Sequence, residues 1–310
     1  MYTFKTLLSA VVGIVLCALS GSALAGGLEV ERVTDNVYAI VGPFEQRNAT
    51  NFANNATFGF VVTDAGVLLV DPGGSYKGAA AIAAAIKTVT NKPVKIVINS
   101  GGQDHRWLGN GYFKERGARI IASNAAVEDH KDRTDDHFFM LTNLMGKDAL
   151  AGTDAVYATE TFESELNLDF GGHRFEIRHV GSAHTLGDAF IWMPDSGVMF
   201  TGDIVYVGRM LGIGPAGDTA SWIETFETMA DFAPKYIVPG HGPATDLRRA
   251  TLETYDYLVY LRTMIGRIIA NGGEIAEGVN IDQSMFKKLA VFDQISKRNA
   301  QAVFMQMEFE

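Results

Sequence analysis

Apolar and polar positions change period repeatedly along the chain, and each change marks an element. Residues 28–33 and 37–41 read as a hairpin split by the Thr34-Asp35-Asn36 turn. Residues 57–63 and 66–70 predict a second hairpin around Asp64-Ala65, and a polar, asparagine-rich loop separates the two hairpins at 48–55. Ser75 stands where a helix cap would, ahead of an alanine-rich helix running to about Val89. Residues 94–99 form a largely apolar run after Pro93, as expected of a central strand covered on both faces. A short strand at 119–122 precedes a charged helical stretch at 125–144. Two further hairpins follow, 163–168 with 173–180 over Gly171-Gly172, and 189–192 with 198–201 over Pro194-Asp195-Ser196-Gly197. Asp218 or Thr219 caps a helix to Ala230, residues 236–238 make the last strand, and the chain is mostly helical from Asp246. Two sets of strands, each followed by helices, predict an α/β chain with two sheets between helical layers. No low-complexity linker or composition break interrupts it, so 26–310 reads as one domain whose C-terminal part, 246–310, is mostly helical.

Composition narrows the class. Of 310 residues, 47% are hydrophobic and 20% charged, which supplies a core and argues against disorder. A net charge of −10 argues against a nucleic-acid partner, whose binding would need a basic face, and against attraction to acidic membranes. The 33 glycines exceed the usual ~7% and predict tight turns and close backbone approaches. One cysteine, Cys17, excludes an intrachain disulfide.

Residues 1–25 have one charge, Lys5, then an apolar run at 7–19 and small residues ending in Ala23-Leu24-Ala25. This is the pattern of a cleaved secretory signal, and the run is short of the ~20 residues that span a bilayer. A periplasmic or secreted mature chain without a membrane span follows. It has lost Cys17, so a metal site in it would use oxygen and nitrogen ligands.

Three loops, each after a predicted strand, carry His or Asp beside glycine. They are Asn99-Ser100-Gly101-Gly102-Gln103-Asp104-His105, the pair Gly181 to Asp188 and Thr201-Gly202-Asp203, and Pro239-Gly240-His241-Gly242. Strand-terminal loops of an α/β scaffold are where ligand sites usually form. Imidazole with carboxylate suits zinc or a similar divalent ion. His130, His137, His173 and His179 lack that context and read as structural or surface residues.

This order of motifs resembles the metallo-β-lactamase superfamily over residues 37–242. The resemblance implies an αββα sandwich with a one- or two-metal site at one edge. Asp104 and His105 match the last pair of the family's His-x-His-x-Asp-His, His184 its third first-site histidine, Asp203 its bridging carboxylate and His241 its second-site histidine. Ser100 and Gly102 stand where the first two histidines would be. The implied site is therefore one zinc at the second position, held by Asp104, His105, Asp203 and His241. Gln103 to Asn110, QDHRWLGN, further resembles an exported subgroup associated with sulfur-oxidation and quinoprotein systems.

The implied chemistry is hydrolysis of an activated acyl compound, a small-molecule thioester, lactone or β-lactam, with Asp104 and His184 as candidate catalytic residues. The zinc would polarise a carbonyl or activate water, His184 would act as base or hydrogen-bond donor, and Asp188 would orient it. Arg106 and Trp107 would line the pocket, and the asparagines at 48–55 would contact substrate. The alternatives are a metal-binding or relay protein without turnover and, behind both, a persulfide dioxygenase, whose iron would need the altered first site. The oligomeric state is open.

Overall fold

A computed structural model describes residues 24–310; residues 1–23, and with them nearly all of the predicted signal, lie outside the described part. In chain order the elements begin with strands β1 (Glu29–Arg32), β2 (Val37–Val41), β3 (Thr57–Thr63) and β4 (Gly66–Val70). Helix α1 (Tyr76–Lys87), β5 (Val94–Ile98), α2 (Asn110–Lys114), β6 (Arg119–Ser123), α3 (Asn124–Asp132), α4 (Thr134–Met145) and β7 (Glu160–Phe162) complete the first half. The second half holds β8 (Glu165–Phe170), β9 (His173–Arg178), β10 (Phe190–Met193), β11 (Val198–Tyr206), α5 (Thr219–Ala230) and β12 (Tyr236–His241). Helices α6 (Leu247–Ala250), α7 (Asp256–Ala270), α8 (Ile275–Val279) and α9 (Phe292–Met307) end the chain.

The strands form two sheets, β1-β2-β3-β4-β5-β6-β7 and β12-β11-β10-β9-β8. Pairing is antiparallel from β1 to β4 and parallel from β4 to β7. In the second sheet only β11 and β12 run parallel. Successive strand residues point to opposite faces, and that alternation sorts the core into layers. Ile96 and Ile98 of β5 join Val198, Phe200 and Val238 between the sheets, while Val97 packs outward under α1 with Ile82 and Ala85. Met199 and Ile237 face the other way, onto Trp222 of α5 and Leu261, Val303 and Phe304 of the C-terminal helices. The result is an αββα sandwich whose outer layer on the second sheet includes the C-terminal helices. No helix among the described residues is long and apolar enough to cross a membrane.

Four local outcomes differ from the sequence reading. The helix expected over 125–144 is two, because Arg133 leaves helical geometry (φ −103°, ψ 10°) between α3 and α4. Three-residue β7 is too short to leave a periodic signal. Strand β11 does not stop at Thr201: Gly202 takes a left-handed φ of 48° and the strand continues to Tyr206, its register with β12 shifting on both sides of that glycine. Bulges of this kind re-aim side chains beside functional sites, and the residue after this one is Asp203. Likewise His241 ends β12 instead of lying in a loop beyond it.

Candidate metal centre

At one edge of the sandwich the turn after β5, the bulge of β11 and the end of β12 meet. His105 Nε2 lies 3.2 Å from Asp203 Oδ2, and His241 Nε2 lies 3.2 Å from Asp203 Oδ1. Ligand atoms of these three buried residues all fall within 4.8 Å of one another, the arrangement that can hold a metal ion. Tyr206 stacks on His241 at 4.4 Å between ring centroids, fixing the imidazole plane.

Arg106, expected to line the pocket, lies instead fully buried beneath the centre. Its Nε and Nη2 donate to Asp203 Oδ2 (3.1 Å) and Oδ1 (2.7 Å), and Nη1 donates to Asp71 Oδ2 (2.8 Å). The remaining donors reach Thr57 O and Gly240 O at 3.0 and 2.8 Å, so all five N–H groups have acceptors. Burial acts to raise the Asp203 pKa, but Arg106 and then His105 hold the carboxyl well below its ordinary range. The opposing carboxylates likewise raise the Arg106 pKa against burial. Trp107 is also buried, stacked between His130 (4.6 Å) and Tyr157 (5.4 Å).

The fourth expected ligand stands apart. Asp104 lies outside the three-residue cluster, and its Oδ1 accepts from Arg47 Nη2 at 2.5 Å and from the His105 amide at 2.9 Å. Its Oδ2 is buried without a partner. Burial raises its pKa, and Arg47 and His105 more than reverse that, keeping it well below the usual value. Arg47 Nη2 also sits 3.0 Å from His105 Nδ1. No sequence signal marked Arg47, a lone cation in the loop before β3. The asparagines flagged nearby mostly turn inward: Asn54 Nδ2 donates to Gly78 O while its Oδ1 accepts from Gly74 N, and Asn51 Oδ1 accepts from Ala53 N. Asn55 faces the cavity.

The space of the first-site histidines is filled. Ser100 turns to Asp71, donating from Oγ to Oδ2 (2.7 Å) and from N to Oδ1 (2.7 Å). A Cβ at Gly202 would lie 2.1 Å from Ser100 Oγ. A Cβ at Gly102 would lie 1.6 Å from Asp129 Oδ2, and Asp129 is paired with Arg133, which also donates to Gly102 O at 3.0 Å.

His184 lines the same cavity, of about 680 Å³, as His105 and His241. The residue that orients it is Gly212, whose carbonyl is 2.9 Å from His184 Nδ1; Asp188 bonds instead to Thr185 N (2.6 Å) and Oγ1 (2.7 Å). The expectation that Asp188 orients His184 is thus corrected. With Nδ1 donating to a carbonyl, Nε2 keeps the lone pair, and burial pushes the ring down to about 4, so it is neutral at pH 7.

Asp188 titrates in the opposite sense. Burial, and then the Asp203 charge, push it up to about 8 from an ordinary 3.8. Its folded form holds a proton that the unfolded chain has lost between those values, so its contribution to stability falls as pH rises from about 4 to 8. In metal-free protein Asp188→Asn should remove that loss. Urea unfolding of both proteins at pH 5 and pH 8 should show the variant gaining on the wild type with pH, by up to about 1.4 kcal/mol per pH unit. A difference that does not change with pH would show that Asp188 is ionised in the folded chain.

Comparison with known proteins agrees with this fold. The family model described as metallo-beta-lactamase superfamily matches residues 53–241. A type 2 metallo-beta-lactamase of Elizabethkingia meningoseptica is 24% identical over 243 residues, covering 74% of this chain and 85% of that one. Among solved structures, a metallo-beta-lactamase from Pontibacter korlensis superposes with a TM-score of 0.59 at 20% identity, covering 74% of this chain and 98% of that one. DIM-1 metallo-beta-lactamase does so with a TM-score of 0.59 at 16% identity, covering 75% and 97%. At these identities the structural likeness is one of fold.

Proposed function

The chain belongs to the metallo-beta-lactamase superfamily, and from that premise we propose that it is an exported hydrolase of an activated acyl compound, a thioester, lactone or β-lactam, using one zinc ion. The observation that carries the reading is the convergence of His105, Asp203 and His241, all buried, beside a cavity large enough for a small molecule. Two imidazoles and a carboxylate fit zinc in a catalytic arrangement, where three protein ligands leave a position open. The ion would supply Lewis acidity and a water whose pKa is lowered towards ~7.

The protein's own groups have separable tasks. Arg106 fixes both oxygens of Asp203 and keeps them ionised. Asp104 is placed to support His105 rather than to ligate: its Oδ1 is 3.2 Å from His105 Nδ1. By accepting Nδ1–H it would leave the Nε2 lone pair facing Asp203 and His241, the usual carboxylate–histidine support of a metal ligand. Arg47 opposes this, because an N–H donated to Nδ1 demands the other tautomer; the loop that carries it must yield the nitrogen before Nε2 can ligate. His184, neutral and anchored by Gly212, presents Nε2 as a proton acceptor at the cavity wall.

Metal analysis of the protein purified without added zinc is expected to give one equivalent. Chelation should stop turnover on a panel of thioesters, lactones and β-lactams, and zinc should restore it. No bound metal would overturn the reading. One equivalent without turnover on any panel member would favour the second reading, a metal-binding protein, which the filled first-site space around Ser100 and Gly102 supports.

A further inference from the structure

The wall that anchors His184 is held by the C-terminal helices. Between β11 and α5 the chain runs through Leu211-Gly212-Ile213-Gly214-Pro215-Ala216-Gly217. Gly212, Gly214, Pro215 and Ala216 of this segment line the cavity. Three glycines in seven residues leave such a segment loose unless it is held from outside. Helix α9 supplies the restraint. Asn299 Nδ2 donates to Leu211 O at 2.7 Å and its Oδ1 accepts from Ile213 N at 3.0 Å, so one amide brackets Gly212. Two turns further along the same face of α9, Gln306 Oε1 accepts from Thr219 N (3.2 Å) and Oγ1 (2.8 Å), and its Nε2 donates to Gly217 O (2.8 Å).

Asn299 is fully buried, in a stripe shared with Ile295, Ala300, Val303 and Phe304. An apolar residue would serve packing there, since a buried amide is unfavourable until its hydrogen bonds are made. Here they are made: Nδ2 also donates to Tyr257 Oη (3.1 Å), which donates in turn to Gln283 Oε1 (2.9 Å). The bond to Ile213 N has a geometric consequence. A peptide unit is planar and trans, so its N–H and its C=O point in opposite directions. Holding the Ile213 N–H towards α9 aims the Gly212 carbonyl, in the same peptide unit, the other way, to His184 Nδ1 at 2.9 Å. We propose that Asn299 is a positioning residue that acts through Gly212 to fix His184 as the Nδ1–H tautomer, its Nε2 lone pair free. Asn299 lies beyond residues 53–241, the part matched by the family model, so the C-terminal extension serves the site as well as covering the sheet. The use made of the lone pair rests on the hydrolase reading; the tautomer does not.

Nitrogen NMR of the metal-free full chain at pH 7, with the histidine rings labelled, tests it. The signals of His184 are identified by their loss in His184→Gln. The wild type should show a protonated Nδ1 and an unprotonated Nε2. In Asn299→Leu the two signals should move towards each other as the tautomers mix, their ratio changing about fivefold or more, the worth of one net hydrogen bond. Asn299→Ala gives the same reading if the leucine variant does not fold. Gln306→Ala, at a half-buried position, frees the far end of the wall and should leave the His184 signals where they are. Mixed tautomers in the wild type, or unchanged signals in the folded Asn299 variant, overturn the proposal. An equal change in Gln306→Ala also overturns it, because the effect would then be a general loosening of the wall. None of these outcomes involves metal or substrate, so the hydrolase reading stands or falls separately, by its own metal analysis and turnover.

Discussion

Replacing Arg106 by Met is expected to destabilise the protein by about 3–5 kcal/mol, the range for breaking one side of a buried ion pair. The loss is large because the guanidinium serves two carboxylates at once. Asp71 and Asp203 are both buried, and Arg106 is bonded to each. Its removal leaves two buried carboxylates without their cation and frees Thr57 O and Gly240 O, through which Arg106 ties β3 to β12. Against a total stability of ~5–15 kcal/mol for a domain, the variant should be marginal, with a melting temperature lower by on the order of 10 °C. Arg106→Lys keeps the charge but has three donors for five acceptors, so it should fall between. A melting curve for Arg106→Met within a degree or two of the wild type would show that the pair is not a structural element.

The second large effect separates holding the metal from holding the fold. His241→Ala and His105→Ala each remove one imidazole and leave the Arg106–Asp203 contact in place. Both should fold and should bind zinc more than about 100-fold more weakly, beyond what changes outside the ligand set usually cost. Asp203→Asn should lose the metal and also stability, because Arg106 then has one carboxylate partner in place of two. Zinc titration against a chromogenic chelator, with unfolding curves for the same preparations, reads both quantities. Wild-type zinc affinity in His241→Ala would remove that residue from the centre.

The layers and most elements were legible because their signals are local. The largely apolar run of β5, the Ser75 cap of α1 and the Asp218 cap of α5 each follow from a few adjacent residues, and the structure has all three. The three residues that converge on the candidate centre were legible from motif order. What escaped are contacts made across long sequence separations by residues of ordinary context. Arg47 reaches Asp104 from 57 positions away. Arg106 was read as pocket-lining because its neighbours are functional, although nothing in QDHRWLGN tells whether its side chain turns to the cavity or to Asp71. Gly202 misled in another way: glycine after a strand usually marks its end, and here it marks a bulge within it.

The packing at Gly102 sets what a second metal would demand of the chain. A single codon change to histidine there would place a side chain where Asp129 already sits, at 1.6 Å from the first carbon. Removing Asp129 beforehand would strand Arg133, and Ser100 would still be bound to Asp71 on the other side. A first-site metal would therefore require Asp129, Arg133 and Ser100 to rearrange together with the new imidazoles. The one-metal condition proposed for this chain would then be held by its packing as well as by the two absent imidazoles.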